Sequence, residues 1–353
     1  MVINGDVIKD IYSNIQDEES KMIYMSRLNY SLTRDYGFLK LMVDNTVRNR
    51  AEWKRFCEEL IKRNQDEAMV IFGAGIWGAI LYNETKHFVD WKHVIDSHPD
   101  GKAVGELPVK DFEKFVQEYE NETIVISSYK NYSSMVDQLH KHGIADDKIV
   151  DAGRAIYQLT EEAIYFDLDM LMPQKSREVF VDAGCFDGLT TKQFFTWCKG
   201  EAYSYCFEPD SQNITLIQKN LHNQNHYEIV PKALWSINRT LAIEAKGNFA
   251  TSVCEDIYNN NKPTVEAVSL DDFLDAREVT FIKMDIEGAE VDALLGAKKT
   301  IEEQKPRLAI SIYHKTDDIW RIPDTILKCC PDYQFYLRHY SFSNYDTVLY
   351  AIP

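Results

Sequence analysis

At 353 residues, with 39 Lys and Arg against 56 Asp and Glu, the chain carries a net charge of -17. That charge would repel a phosphate backbone over much of the surface, so nucleic acid is not expected as substrate or partner. The seven cysteines include no Cys-x-x-Cys pair, which argues against a disulfide framework or a zinc site and leaves adjacent Cys329 and Cys330 expected in the reduced state.

Residues 6 to 65 are rich in charge and helix formers, and Ile8, Ile11, Tyr12 and Ile15 fall on one helical face. A helical N-terminal segment is therefore expected over 1–65. The first residues lack a basic stretch followed by an apolar one, so no export signal is expected and the cytoplasm is the expected location. Ala68 to Tyr82 is apolar but shorter than a membrane span and interrupted by Gly73, Gly75 and Gly78, which predicts a strand, a turn and a helix; no membrane span is expected. The glycine spacing matches a dinucleotide-binding turn, and Val94-Ile-Asp96 supplies a second strand ending in an acid. With Thr123 to Ser127 as a further strand, residues 66–158 read as a small Rossmann-like domain. Two readings stay open for it: an NAD or nucleotide-sugar site, or a scaffold whose glycines serve only helix-to-strand packing. Few strands remain before Asp151, too few for a full dinucleotide-binding arrangement. The polar segment 159–176, containing Pro173, is expected to link this domain to a second one over 177–353.

The second domain opens with Val179-Phe-Val-Asp182-Ala-Gly184, an apolar strand running into a turn and a helix. Gly184 and Gly188 let the backbone turn sharply and pass close to a ligand. Asp182 suits a cationic ligand, and the helix opening near Leu189 offers free N–H groups to a carboxylate. A second strand ends in Glu208-Pro209, placing a carboxylate where an α/β sheet can bind the hydroxyls of a ribose. Together these point to S-adenosylmethionine as cofactor. The Lys232 to Trp235 loop is expected to flank its adenine, with Ala233 and Leu234 in contact. Val268 to Leu274 reads as a short helix capped by Ser269 or Asp271. Val279 to Glu290 is a further buried strand ending on Asp285 and Glu287, two carboxylates that could hold Mg2+. Pro306 to His314 is a strand ending on a histidine, and Tyr333–Tyr340 with Asp346–Ile352 forms a C-terminal hairpin. Asp285, His314 and His339 are the candidate bases or acceptor-orienting groups; each histidine could equally be a hydrogen-bonded structural residue.

The chain here resembles the FkbM-type methyltransferases, over roughly residues 176–353. The likeness rests on Val181-Asp-Ala-Gly184, Phe207-Glu-Pro209, Ser269-Leu-Asp-Asp-Phe273, Ile282-Lys-Met-Asp-Ile-Glu-Gly-Ala-Glu290, Leu337-Arg-His-Tyr340 and Thr347-Val-Leu-Tyr350. Cys185-Phe186-Asp187 stands where the family usually has Ala-Asn-x, which changes the turn around the methionine part of the donor while keeping Asp182 and Gly184. The resemblance implies an α/β fold with a seven-stranded Rossmann-like sheet whose last strand is antiparallel. It also implies methyl transfer from S-adenosylmethionine to a hydroxyl, often on a sugar, with a role in polysaccharide biosynthesis as one setting. The alternative is a nucleotide- or nucleotide-sugar-binding protein without methyl transfer. A small-molecule partner is expected, a homo-oligomer is compatible with the sequence, and residues 156 onward are expected to fold and bind the donor alone.

Overall fold

The computed structural model describes residues 4–162, 164–173, 176–198, 201–244, 251–254 and 263–353. Two compact units emerge. One joins the residues up to Met42 with Tyr165–His339 and Ser343–Pro353; the other takes Val43–Ile164 and Tyr340–Phe342.

The smaller unit holds strands β1 (Met69–Phe72), β2 (Trp91–Asp96), β3 (Val109–Asp111), β4 (Thr123–Ile126) and β5 (Ile149–Asp151). They form one parallel sheet in the order β3-β2-β1-β4-β5. Because side chains alternate across a strand, Met69 and Ile71 enter one core with Trp53, Phe56 and Leu60, while Val70 and Phe72 enter the opposite one with Phe112 and Phe115. Helices thus cover both faces, as a parallel sheet requires. Two more strands are present among the described residues than the sequence suggested, which gives five strands in a doubly wound order. Strands β3 and β5 are three residues each and only partly buried, too short to show a period.

The larger unit contains β6 (Glu178–Ala183), β7 (Ala202–Phe207), β8 (Tyr227–Val230), β9 (Ala233–Leu234), β10 (Arg239–Glu244), β11 (Ser252–Cys254), β12 (Thr264–Val268), β13 (Phe281–Met284), β14 (Arg307–Ser311), β15 (Gln334–His339) and β16 (Thr347–Ile352). Seven of them make a sheet ordered β15-β16-β14-β13-β6-β7-β8, in which β16, the last strand, runs antiparallel to β14 and β15. This is the Rossmann-like methyltransferase sheet expected from the sequence. The four-stranded sheet β11-β10-β12-β9 beside it was not foreseen.

Residues 165–173, expected as part of a polar linker, are largely core. Tyr165, Phe166, Leu168 and Leu171 are buried, and Phe166 packs against Phe180, Phe194, Trp197 and Phe281. Arg307 ties this stretch down, donating to the Leu171 and Met172 carbonyls and pairing with buried Glu178. Likewise, the expected N-terminal segment divides: the helix Glu18–Thr33 packs on β15, whereas Ala51–Arg63 sends Trp53, Phe56 and Leu60 into the smaller unit. Among the described residues, no helix is long and apolar enough to cross a membrane.

Candidate active site

Strand β6 ends where the chain must cross the end of β13 at close range. Gly184 does this at φ +73°, and a Cβ there would lie 1.9 Å from the Asp285 carbonyl oxygen, so no side chain is tolerated. Gly188, at φ +81°, is the N-cap of the helix Leu189–Trp197 and packs against Ile217 and Leu221; it shapes the turn without lining the pocket. The pocket itself lies over the carboxyl ends of β6, β7 and β13 and has about 520 Å³ of empty volume. Gly184, Phe186, Glu208, Ala233, Leu234 and Asp285 line it.

Glu208 is held from three directions. Its Oε2 accepts from the Phe186 N–H at 3.0 Å, and its Oε1 from the Asp210 N–H at 2.9 Å and Asn213 Nδ2 at 3.3 Å. Burial pushes its carboxyl above the ordinary value, while the hydrogen bonds from Asp210, Asn213 and Phe186 oppose that shift. A carboxylate has about four acceptor positions, so this one retains capacity on Oε2 for a ligand hydroxyl. Ala233 and Leu234 lie on β9 rather than on a loop, and both line the pocket.

Asp182 departs from expectation. It is fully buried beneath the pocket, with Oδ2 accepting from Thr191 Oγ1 at 2.8 Å and Oδ1 lying 3.1 Å from Lys283 Nζ. Lys283 also donates to the Gly184 carbonyl at 2.7 Å and the Ala183 carbonyl at 3.2 Å. The pair therefore pins the β6 turn to β13, and Asp182 is not among the residues that line the pocket.

Asp285, at the tip of β13, accepts from Tyr165 Oη at 2.9 Å and Tyr313 Oη at 3.1 Å. Burial acts to raise its pKa, but the charges of Lys283 and His314 together with hydrogen bonds from Ser311 and Tyr165 leave it below the ordinary value. Burial pushes both tyrosines up, so their hydroxyls stay protonated and donate. Neither tyrosine was foreseen. Tyr165 comes from the segment read as linker, and Tyr313 sat unnoticed beside His314.

His314 stands among carboxylates, with Nδ1 3.0 Å from Glu290 and Nε2 3.4 Å from Asp285 and 3.5 Å from Glu287. None of these contacts has the angles of a hydrogen bond, so they act as ion pairs. Burial works to lower its pKa; Glu287, Glu290 and Asp285 override burial and push it up to about 11. It is an imidazolium at neutral pH and cannot serve as a base. Asp285, Glu290 and His314 do bring ligand-type atoms within 4.8 Å of one another. The set nonetheless does not fit Mg2+, which takes oxygen ligands. The imidazolium already occupies the position between Asp285 and Glu287 where the sequence would have put the ion. His339 is elsewhere in this unit, fully buried on β15, with Nδ1 2.8 Å from Thr347 Oγ1, and does not line the pocket.

Residues 182–342 match the family described as the methyltransferase FkbM domain. This domain belongs to the FkbM methyltransferase family. Among solved structures, the chain is similar to the methyltransferase FkbM from Methylobacillus flagellatus KT, at 21% identity and a TM-score of 0.47, covering 91% of this chain and 100% of that one. It is also similar to Aeropyrum pernix fibrillarin, solved with S-adenosylmethionine bound, at 6% identity and a TM-score of 0.35, covering 56% and 74%. A third is the precorrin-6y C5,15-methyltransferase from Geobacter metallireducens GS-15, at 8% identity and a TM-score of 0.33, covering 51% and 81%. No curated protein matches the chain. Over residues 182–342 the FkbM domain supports S-adenosylmethionine-dependent methyl transfer.

Proposed function

We propose that the chain transfers a methyl group to a hydroxyl of a sugar or another polyhydroxylated small molecule, as in polysaccharide biosynthesis. The observation that carries this reading is Asp285, a carboxylate kept ionised at the pocket rim, next to the expected methyl donor. Bound S-adenosylmethionine supplies an electrophilic methyl on a sulfonium. Glu208 would accept the ribose hydroxyls, Ala233 and Leu234 would cover the adenine, and Gly184 would leave room for the donor's methionine part. Asp285 would accept a hydrogen bond from the acceptor hydroxyl and align its lone pair with the methyl. As the new C–O bond forms and the C–S bond breaks, the hydroxyl proton becomes strongly acidic, so even a carboxylate of low pKa can take it. Tyr165 and Tyr313 hold that carboxylate in place. His314 and Lys283 balance its charge.

Two substitutions test the assignment. Glu208→Ala is expected to weaken S-adenosylhomocysteine binding by about 1–3 kcal/mol, measured by calorimetry; unchanged affinity would remove the ribose role. Asp285→Asn is expected to keep that binding and slow transfer roughly 10²- to 10⁴-fold. The acceptor comes from a panel of hexoses, deoxyhexoses and nucleotide sugars, and turnover should be insensitive to EDTA. Near-wild-type transfer by Asp285→Asn on a true acceptor would take Asp285 out of the reaction.

A further inference from the structure

The smaller unit has a cleft of its own, with about 1340 Å³ of empty volume, over the carboxyl ends of β1, β2 and β4. Strand β1 has β2 on one side and β4 on the other, so the cleft lies at the point where the strand order reverses, where open α/β sheets take ligands.

The three glycines of the turn separate a packing role from a binding role. Gly73 has φ +112°, and a Cβ on it would lie 2.6 Å from Ser127 Oγ; a Cβ on Gly78 would lie 2.0 Å from the Gly73 carbonyl oxygen. The fold itself requires both. Gly75 is different: its backbone, at φ -84° and ψ -169°, suits any residue, and a Cβ on it would meet nothing within 4 Å. No contact within the protein calls for glycine there. Gly75 itself lines the cleft and is the N-cap of the helix Ile76–Thr85, whose N-terminus no side chain caps. Ile76, the first residue of that helix, is 74% exposed although apolar.

The rest of the lining fits an anion carrying a ribose. Lys102, paired with Asp96, and Lys130 place two cations in the lining, which also holds Asp96 and Glu161. Asp96 ends β2, where Oδ1 accepts from the His98 N–H and Lys102 Nζ at 2.8 and 2.7 Å, and Oδ2 from the Ala74 N–H at 2.8 Å. Oδ2 keeps a lone pair for a ribose hydroxyl. Tyr129, stacked on Tyr157 with ring centroids 3.9 Å apart, gives the cleft an aromatic wall. We propose that this cleft binds a ribonucleoside diphosphate group, with the diphosphate over Gly75 and the ribose on Asp96. The group could arrive as part of a dinucleotide or of a nucleotide sugar. The proposal does not depend on the identity of the methyl acceptor.

The test uses the full chain saturated with S-adenosylhomocysteine, so that the methyltransferase pocket is filled. Calorimetry is run with ADP, UDP, UDP-glucose, NAD+ and AMP. At least one diphosphate is expected to bind at one site per chain, more tightly than AMP. Gly75→Val is expected to lose roughly tenfold or more in that affinity, while its melting temperature and S-adenosylhomocysteine binding stay those of the wild type. NAD+ binding without UDP-glucose binding assigns a dinucleotide, and the reverse assigns a nucleotide sugar. The proposal is overturned if no diphosphate binds at about 1 mM, if AMP binds as well as the diphosphates, or if Gly75→Val binds like the wild type.

Discussion

Three carboxylates converge on the imidazole of His314 at the end of β14, and the charge they impose decides which residues can move protons. Since the folded pKa is raised from 6.5 to about 11, this group's stabilising contribution is fully present below pH 6.5 and is lost as the pH rises toward 11. Replacing it with a neutral side chain leaves Asp285, Glu287 and Glu290 facing one another without their cation. His314→Gln is expected to lower stability at pH 7 by about 2–3 kcal/mol. That is less than for a fully buried pair, because the Asp285 and Glu287 side chains are 25% and 27% exposed. Thermal melts should show a wider gap between variant and wild type at pH 6 than at pH 9, since above the unfolded value folding must take up a proton at His314. Equal melting temperatures at pH 7 would mean that His314 is not the cation of this cluster.

Among the elements, β15 is an edge strand of the seven-stranded sheet, and exposed edges invite pairing with other chains. The N-terminal segment covers it. Ile15 forms a bridge with Phe335, the Gln16 N–H donates to the Phe335 carbonyl at 3.1 Å, and buried Ser20 Oγ accepts from the Leu337 N–H at 2.8 Å. Ser20→Ala is expected to cost about 1–3 kcal/mol by stranding that amide, and Leu337 should exchange its amide hydrogen faster; unaltered exchange would show that the edge is protected without Ser20. None of this was visible in the sequence, because Ser20 and Leu337 are distant in the chain and a serine in a helix has no pattern to mark it. What was legible shares one property: β6, β7 and β13 are apolar runs that end on Gly184, Glu208 and Asp285, so burial and chemistry change at the same residue. Strand β10 shows only a short buried stretch, and β9 is two residues long, so neither announces the second sheet. The role of Asp182 was misread for a similar reason, since its sequence position is that of a ligand contact while its direction depends on Lys283 from another strand.

At the scale of the whole molecule, the chain builds two α/β sheets, each with its own core, but the boundary between units is not a single cut in the sequence. The residues up to Met42 pack with the methyltransferase sheet, and only then does the chain enter the smaller unit. Beyond the β15 edge, Arg27 reaches from the same N-terminal helix to Thr347 Oγ1 at 2.6 Å, and Asp17 pairs with Arg338 at 2.9 Å. A chain lacking residues 1–155 would keep every residue that lines the donor pocket yet lose this cover, leaving an exposed edge and a buried Thr347–His339 pair without its arginine. The sequence suggested that such a truncation would fold alone; the packing predicts instead that it aggregates or melts well below the full chain. Supplying residues 1–42 as a separate segment during expression should restore solubility and S-adenosylhomocysteine binding. If the truncated chain instead melts like the full-length protein and binds S-adenosylhomocysteine equally well, the N-terminal helices contribute nothing to the methyltransferase fold.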